Sequence, residues 1–381
     1  MMAERQARTV ARLRVLVAIL LVPTLVIIAI ALNRYQRNIS SWQPLPGFPR
    51  DNVSSIAFSS HLGAYVLCAG TLNVGVGCSL DGNTWNIYQR NLPTGAPGQT
   101  DAIAMPGTVR GIGRLAIDDS DSAHFVAFVW RETWEGDFYQ SRDGGISWQI
   151  LNVDLPTSPV VDLEVSGDLI SVLQKDRNEN YSLRVSTNGG NAWRNFTDIM
   201  TDTIVIYDAE ILLSPGINNT KTLLLATETG VFQAQYVNNA WHINLLFKLP
   251  SARRLAQIHN YSNDLFVVTY DRNENKSSIY YWRPNSLEFL ATYVGKLLAL
   301  TSDPDVSKTF KSYILLDNQE VKSVSTDGLS ISLGRRPVSF TNFLSAPFDL
   351  SAVPAPDGGP TWLLMGHTDG LLVFTGQDGT E

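Results

Sequence analysis

Six arginines lie shortly before short apolar runs, and their chemistry suits an anionic ligand. They are Arg50, Arg110, Arg253, Arg254, Arg335 and Arg336. A guanidinium group holds its donors in one plane and binds a carboxylate or phosphate through two parallel hydrogen bonds. If the fold gathers these residues around one opening they form an anion-binding cluster. Otherwise they are ordinary surface arginines.

Acidic side chains form a second recurring set, within short polar segments between apolar runs. The set is Glu132, Glu135, Asp137, Asp176, Glu179, Glu228, Asp271, Glu274, Asp317, Glu320 and Asp369. The segment Asp-Arg-Asn-Glu-Asn occurs twice, at 176–180 and 271–275. These carboxylates are either solvated turn residues or an acidic collar that attracts a cation or a basic partner surface.

The other reactive residue types show no catalytic or metal-binding pattern. The five histidines are scattered without ligand spacing, so we predict no metal site, and we predict no cofactor. Nucleotide-binding and serine-hydrolase motifs are also missing from the sequence. Cys68 and Cys78 face each other on adjacent strands if the intervening turn centres on Asn73. They then form either a disulfide, which export permits, or two buried thiols.

A recurring turn of the form Ser-x-Asp/Asn-Gly, followed by tryptophan, organises the sequence. Its residues are Ser79, Asp81, Gly82 and Trp85; Ser141, Asp143, Gly144 and Trp148; and Ser186, Asn188, Gly189 and Trp193. The Asp or Asn side chain accepts hydrogen bonds from turn amides, and glycine permits the positive φ of a tight turn. The tryptophan buries about 150–250 Å² between neighbouring units. We therefore interpret this turn as structural and not catalytic.

The spacing of these turns is that of a β-propeller. The steps from Trp148 to Trp193 and from Trp193 to Trp241 are 45 and 48 residues, the size of a four-stranded blade. Degenerate copies lie at 235–241 and 325–331, with room for another near Phe289, and residues 91–108 form an insertion. The first strands of the blades are predicted to start near Val53, Ile112, Val160, Tyr207, Arg254, Leu297 and Phe348.

The two ends of the chain together complete the last blade. Residues 362–366 and 371–375 supply strands, but no fourth strand follows them. Residues 41–45 resemble the tryptophan-led fourth strands at 148–151 and 241–244. We expect this N-terminal strand to close the last blade, which leaves no open sheet edge in the ring. The sequence thus predicts an all-β, seven-bladed propeller over residues 41–381.

The motif Ser-x-Asp-Gly-x-x-Trp and the phrase Ala-Thr-Glu-Thr-Gly-Val-Phe at 226–232 resemble the Asp-box (BNR) propellers. That superfamily includes sialidases, two-propeller xyloglucanases, sortilin-type receptors and the photosystem II assembly and stability factor family. The assembly-factor-like and sialidase-like branches look most similar to this chain. The resemblance implies the propeller fold and a ligand site on the face opposite the motif turns.

The sequence departs from the sialidase pattern. The resemblance to sialidases implies an arginine cluster for the substrate carboxylate, a Tyr–Glu pair and an acid. The opening phrase Phe-Arg-Ile-Pro is missing, and Phe48-Pro-Arg50 is a poor match. No Tyr–Glu pair matches the pattern, so we assign no catalytic residue.

The first 40 residues read as a membrane segment. We expect a cytoplasmic tail at 1–14, a transmembrane signal anchor at 15–33 and a linker at 34–40. Residues 15–32 carry no charge and span about 27 Å as a helix. Four arginines precede the run and two follow it, which places the N-terminus in the cytoplasm. A cleaved signal peptide is the alternative interpretation of this segment. With either interpretation the propeller is exported.

Charge and motifs narrow the function to two hypotheses. Residues 38–381 carry 23 basic and 35 acidic side chains, which argues against a nucleic-acid partner. The first hypothesis is a membrane-anchored, extracytoplasmic, non-enzymatic scaffold that binds a protein or glycan on the face opposite the motif turns. The alternative is a sialidase-like glycoside hydrolase that uses the arginines at the channel mouth.

Overall fold

A computed structural model of the chain describes the strands and many of their connections. The described residues are 42–60, 65–88, 92, 110–118, 120–131, 136–151, 158–176, 178, 180–196, 199–200, 205–212, 221–248, 254–261, 264–283, 286–302, 311–317, 320–325, 330–335, 349–356, 358–359, 361–367 and 370–374. Outside them lie the expected tail, membrane helix and linker, the insertion apart from Leu92, and Arg253, Arg336, Glu132, Glu135, Glu179 and Asp369. In the part that is described, no helix is long and apolar enough to cross a bilayer.

The described strands form seven antiparallel four-stranded sheets, or blades. Blade 1 consists of β2 (Val53–Ser59), β3 (Val66–Thr71), β4 (Val76–Ser79) and β5 (Asn86–Tyr88). Blade 2 consists of β6 (Arg110–Asp118), β7 (Asp121–Arg131), β8 (Gly136–Ser141) and β9 (Gln149–Leu151). Blade 3 consists of β10 (Val160–Ser166), β11 (Leu169–Lys175), β12 (Tyr181–Ser186) and β13 (Arg194–Asn195). Blade 4 consists of β14 (Ile206–Leu212), β15 (Lys221–Thr227), β16 (Gly230–Val237) and β17 (Ala240–Lys248). Blade 5 consists of β18 (Arg254–Tyr261), β19 (Asp264–Asp271), β20 (Lys276–Arg283) and β21 (Ser286–Val294). Blade 6 consists of β22 (Leu297–Ser302), β23 (Lys311–Leu316), β24 (Glu320–Ser325) and β25 (Ser330–Arg335). Blade 7 combines β26 (Leu350–Val353), β27 (Trp362–His367) and β28 (Gly370–Phe374) with the N-terminal β1 (Trp42–Pro44).

The first strand of every blade lies innermost and contacts the first strands of its neighbours around the axis. The predicted starts of these strands are confirmed to within two residues. Because strands alternate in direction, the turns after the third strands share one face of the disc with the turns after the first strands. We call this face the turn face. The connections after the second strands and between blades lie on the opposite face.

Seven apolar cores hold the disc together, one between each pair of adjacent blades. Strand β15 shows why the middle strands are apolar throughout. Its side chains alternate in direction, so Leu223 and Leu225 pack against blade 3 while Leu224 and Ala226 pack against blade 5. A middle strand therefore has no solvent-facing side, and the alternation of apolar and polar residues disappears there.

The segment from Trp42 to Asp51 closes the ring. Strand β1 pairs with β28 in the last blade, as the sequence predicted, and this pairing places Trp42 opposite Phe374. Phe48 then makes an edge-to-face contact with Trp85 of blade 1, with ring centroids 4.7 Å apart. The carboxylate of Asp51 accepts hydrogen bonds from the Asn73 and Val74 amides at 2.8 and 2.9 Å. One continuous segment thus links the outer edge of blade 7 to a turn of blade 1.

The motif turns have the geometry that their residues predict. In blade 2, Asp143 accepts hydrogen bonds from the Ser147 amide at 2.8 Å and from Ser141 Oγ at 2.7 Å. Asn188 of blade 3 accepts the Ala192 amide at 2.8 Å in the same way. The glycine that follows each has a φ near +70°. Each tryptophan packs against the preceding blade, and Trp148 is 1% exposed.

Blades 4 to 6 are built differently from blades 1 to 3. Their outermost strands have six to nine residues, against two or three in the first three blades. Blade 4 replaces the motif turn with a two-residue hairpin in which Asn238 and Asn239 both have positive φ. The degenerate copies therefore lie at the third and fourth strands of their blades, as predicted. The copy at 235–241, however, forms a plain β-hairpin in place of the motif turn. The turn at 326–329 lies beyond the described residues.

Cys68 and Cys78 face each other across β3 and β4 and are joined by a disulfide. Both are buried in the core between blades 1 and 2. A cross-link over so short a loop stabilises the fold by about 2–3 kcal/mol.

Replacement of Trp42 by alanine tests the closure of the ring. Trp42 is 4% exposed in the core between blades 6 and 7, so its loss leaves a cavity there. We expect the free energy of unfolding to fall by about 3–5 kcal/mol, measured by urea denaturation followed by circular dichroism. The control Gln43→Ala alters the exposed neighbour on the same strand. Equal stability of Trp42→Ala and the wild-type protein would contradict this closure.

Replacement of Asp143 tests the motif turn and its pH dependence. The hydrogen bonds from Ser147 hold the pKa of the Asp143 carboxyl below its usual range. Its stabilising effect is therefore present above the ordinary carboxyl pKa and is lost as the pH falls through the lowered pKa. We expect Asp143→Ala to cost about 1 kcal/mol at neutral pH, measured by thermal unfolding.

The matched control for this turn is Asp143→Asn, which copies the asparagine of blade 3. The amide oxygen of asparagine accepts the two bonds from Ser141 Oγ and the Ser147 amide, as in blade 3, and the amide does not titrate. We expect this variant to keep most of the stability at neutral pH and to lose less than the wild type on acidification. A loss at neutral pH as large as that of Asp143→Ala would show that the charge, and not the acceptor geometry, holds the turn.

Candidate functional site

Of the expected arginine cluster, the four described members have backbones at the opposite face, but not all of them lie beside the channel. Arg110 and Arg254 begin the innermost strands β6 and β18. Arg50 is exposed just before β2. Arg335 instead ends β25, the outermost strand of blade 6, so its backbone lies at the outer rim. Side chains are described only for Arg50 in this set.

The described members of the acidic set all lie toward the opposite face, some in turns and some near the ends of strands. Glu228, Glu274 and Asp317 are exposed in turns. Asp176 and Asp271 begin the two Asp-Arg-Asn-Glu-Asn turns and accept amides of their own turns, from Asn178 at 2.8 Å and Asn273 at 2.9 Å. Asp137 and Glu320 lie in strands β8 and β24. The repeated segment is thus a turn-forming sequence with a carboxylate at its base.

Side chains at the ends of second strands fix other turns of this face. In blade 1 the Thr71 hydroxyl donates to Gly75 O at 3.0 Å, and in blade 4 Thr227 donates to Gly230 O at 2.8 Å. Asp51 holds the blade 1 turn from the other side and is 6% exposed. These bonds make the turns rigid platforms for the side chains at their tips.

A β-bulge interrupts the start of the innermost strand in six of the blades whose pairing is described. The bulged residues are Ser54, Gly113, Val161, Tyr207, Ala256 and Leu298. A bulge turns the following side chain out of the usual alternation. A sequence signal for this position exists in two blades, where an aspartate follows the bulged residue in Val-Asp-Leu at 161–163 and in Tyr-Asp-Ala at 207–209, but the tryptophan spacing alone does not reveal it.

Side chains on the innermost strands bond to the neighbouring blade around the channel. We call Ser55, Arg114, Glu164, Thr301 and Asp349 the channel belt. Ser55 Oγ accepts the Leu115 amide at 3.0 Å, and Arg114 donates through Nε and Nη2 to Val161 O at 2.9 and 2.7 Å. Glu164 accepts the Ile211 amide, and Thr301 accepts the Ala352 amide at 3.1 Å. The belt thereby satisfies backbone groups on the free edges of innermost strands.

Arg114 and Asp349 are the belt residues that influence each other electrostatically. Asp349 accepts the Ile56 amide at 2.8 Å and the Leu350 amide at 3.0 Å. Burial raises the pKa of the Asp349 carboxyl above its ordinary value, and the Arg114 charge opposes that rise. Both carboxylate oxygens of Asp349 therefore accept hydrogen bonds from backbone amides, at a position where burial makes ionisation of the carboxyl costly.

A buried Asp–His pair locks blades 2 and 3 at the turn face. Asp118 and His124 are both 0% exposed, with His124 Nδ1 3.0 Å from Asp118 Oδ2. The same oxygen accepts the Gly167 amide of blade 3 at 2.7 Å. Burial raises the pKa of Asp118, but bonds from His124 and Ser120 outweigh it and lower the pKa. No group of three or more potential metal ligands occurs among the residues described.

Comparison with known proteins identifies the fold. No protein-family model matches the chain, and no curated protein sequence matches it. Among solved structures, a GH74 xyloglucanase from Xanthomonas campestris is similar with a TM-score of 0.56 and 12% identity, over 87% of this chain and 52% of the enzyme. YCF48 from Cyanidioschyzon merolae has a TM-score of 0.49 and 13% identity, over 87% of this chain and 98% of YCF48. A YCF48 bound to D1 peptide has a TM-score of 0.49 and 14% identity, over 88% and 94%.

At such low identity these similarities bear on the fold alone. The blades described above and the similarity to the xyloglucanase agree on one architecture. The chain is a seven-bladed β-propeller, the fold expected from the spacing of its tryptophans.

Replacement of Arg114 tests the channel belt. In Arg114→Leu the Val161 carbonyl loses its donor and the Asp349 carboxyl loses a nearby positive charge. We expect a loss of about 2–3 kcal/mol in unfolding free energy at neutral pH, measured by urea denaturation. The pKa of Asp349 should rise further, so the loss should be smaller at about pH 5, where the carboxyl is protonated more often.

The control Arg114→Lys keeps the charge but not the paired contact with Val161. We expect Arg114→Lys to lower the free energy of unfolding by a similar amount at neutral and at acidic pH. A pH-independent loss in Arg114→Leu would show that its charge has no effect on Asp349.

Proposed function

We propose that the protein is a membrane-tethered, extracytoplasmic binding scaffold that holds a polypeptide partner on the face opposite the motif turns. The observation that carries this proposal is a set of side-chain hydrogen bonds that hold the turns of that face. Turns of blades 1, 3, 4 and 5 are each fixed by side-chain bonds to their own backbone. A surface that is ordered before binding loses little conformational entropy on contact, which favours recognition.

Charges at the tips of these turns suit a polypeptide with side chains of both signs. Glu228, Glu274 and Asp317 are exposed in turns between second and third strands, while Arg50 is exposed where the chain enters blade 1. Arg110 and Arg254 start innermost strands on the same side. Paired charges of this kind set the orientation of a partner and its rate of association more than its affinity.

Export of the propeller is supported by its disulfide and by the N-terminal sequence. Disulfides persist in oxidising compartments and are rare in the cytosol. The uncharged run at 15–32 and the excess of arginines before it favour a span with the propeller outside.

The glycoside hydrolase alternative rests on Asp349. A carboxyl with a raised pKa is what a general acid requires. Both of its oxygens, however, accept backbone amides of the two blades that it joins. Release of product from a chromogenic sialoside or a glycan panel, lost in Asp349→Asn with the fold retained, would replace the scaffold proposal.

Substitution of Arg50 and Arg254 tests the ligand face. We expect Arg50→Ala combined with Arg254→Ala to weaken partner capture several-fold, because Arg50 is exposed at the opposite face and Arg254 starts an innermost strand there. The melting temperature should remain that of the wild type. Unchanged capture would remove these arginines from the site.

The partner is to be captured by photo-crosslinking from defined positions in native membranes. A benzoylphenylalanine placed at Glu228 reports on the opposite face, and one at the exposed Asn83 reports on the turn face. We expect a protein crosslink from position 228 and none from position 83. Equal crosslinking from both would contradict the assignment of the ligand face.

A further inference from the structure

The chain enters the propeller at the turn face. Trp42, the first residue of β1, lies opposite Phe374, the last residue of β28. Strand β28 begins at Gly370 on the opposite face, so Phe374 marks its turn-face end. The segment that precedes Trp42 therefore leaves the disc on the turn face, at blade 7.

The distance from this point to the expected membrane span is short. The expected linker comprises residues 34–40, which reach about 25 Å when fully extended. A blade strand of seven residues is itself about 23 Å long. A tether no longer than the disc is thick keeps the turn face next to the bilayer and directs the opposite face away from it.

Two large aliphatic side chains project from the turn face close to this point. Leu80 is 69% exposed in the motif turn of blade 1, and Ile146 is 53% exposed in that of blade 2. The motif turn of blade 1 packs closely against blade 7, because a Cβ atom added to Gly82 would lie only 2.7 Å from Pro356 Cγ. Leu80 thus lies beside the blade from which the tether emerges, and Ile146 lies one blade further around the ring.

The polar groups beside these tips suit the interface of a bilayer. Asp81 accepts a hydrogen bond from the Thr84 amide at 2.6 Å and Asp143 one from the Ser147 amide at 2.8 Å, so much of their hydrogen-bonding capacity is met internally. Arg142 is exposed directly after the third strand of blade 2 and precedes Ile146 in the same turn. A guanidinium at that position can reach lipid phosphates while the isoleucine lies deeper.

We infer that the turn face rests on the bilayer that carries the N-terminal span, with Leu80 and Ile146 inserted at the boundary between headgroups and acyl chains. Arg142 lies at the level of the phosphates. Shallow insertion of aliphatic side chains combined with a covalent tether is sufficient to orient a domain on a membrane. This inference rests on the membrane tether of the proposed function and adds the orientation of the disc. The ligand face then points away from the lipid.

Fluorescence quenching in nanodiscs tests this orientation. The full-length chain is placed in phosphatidylcholine nanodiscs, with an environment-sensitive fluorophore on Leu80→Cys or on Ile146→Cys. Cys68 and Cys78 are buried in their disulfide and do not compete for the label. The matched control is Glu228→Cys, an exposed turn position on the opposite face. We expect lipids with nitroxides at shallow acyl positions to quench probes 80 and 146 several-fold more than probe 228.

The same samples separate failure of the docking from failure of the tether. If carbonate releases the full-length chain from membranes, the tether and with it this inference are overturned. If the chain resists carbonate but all three probes are quenched equally, the docking is overturned and the tethered scaffold stands. Circular dichroism checks the fold of each labelled variant, and because the two tips are independent, either folded variant decides the result.

Discussion

Closure between the last blade and the first is the constraint on which the rest of the fold depends. Each apolar core is shared by two blades, so an open ring would expose one side of two blades and the unpaired edge of β28 to water. Strand β1, Phe48 and Asp51 prevent this through strand pairing, aromatic contact and a buried carboxylate in one continuous segment. The same segment begins with Trp42 at the turn face.

The channel shows how a repeated fold limits the chemistry of its axis. Innermost strands have one edge without a strand partner, and buried backbone groups there require other partners. The channel belt supplies them from the neighbouring blade, with Arg114, Glu164 and Asp349 as its ionisable members. These side chains therefore stabilise the ring. The proposed function accordingly assigns recognition to the turns of the opposite face, which are held by hydrogen bonds to their own backbone.

The two faces of the disc also differ in the side chains that they expose. On the turn face, the motif turns of blades 1 and 2 carry the exposed aliphatic side chains of Leu80 and Ile146, whereas Glu228, Glu274 and Asp317 are exposed in turns of the opposite face. The difference between blades 1 to 3 and blades 4 to 6 adds a second asymmetry around the rim. The proposed partner and the proposed membrane contact therefore use different faces of the disc.

The sequence by itself determined the repeat, the number of blades, the positions of most strands and the pairing of the N-terminal strand with the last blade. Those features depend on local turn chemistry and period-two alternation, which neighbouring residues encode. Only the tertiary structure decided that Arg114 bonds to Val161, that Asp349 bonds to Ile56, and that Asp118 and His124 form a buried pair. It also placed Arg335 at the outer rim. Each of these depends on the register between strands far apart in the chain, and one bulge is enough to redirect a side chain.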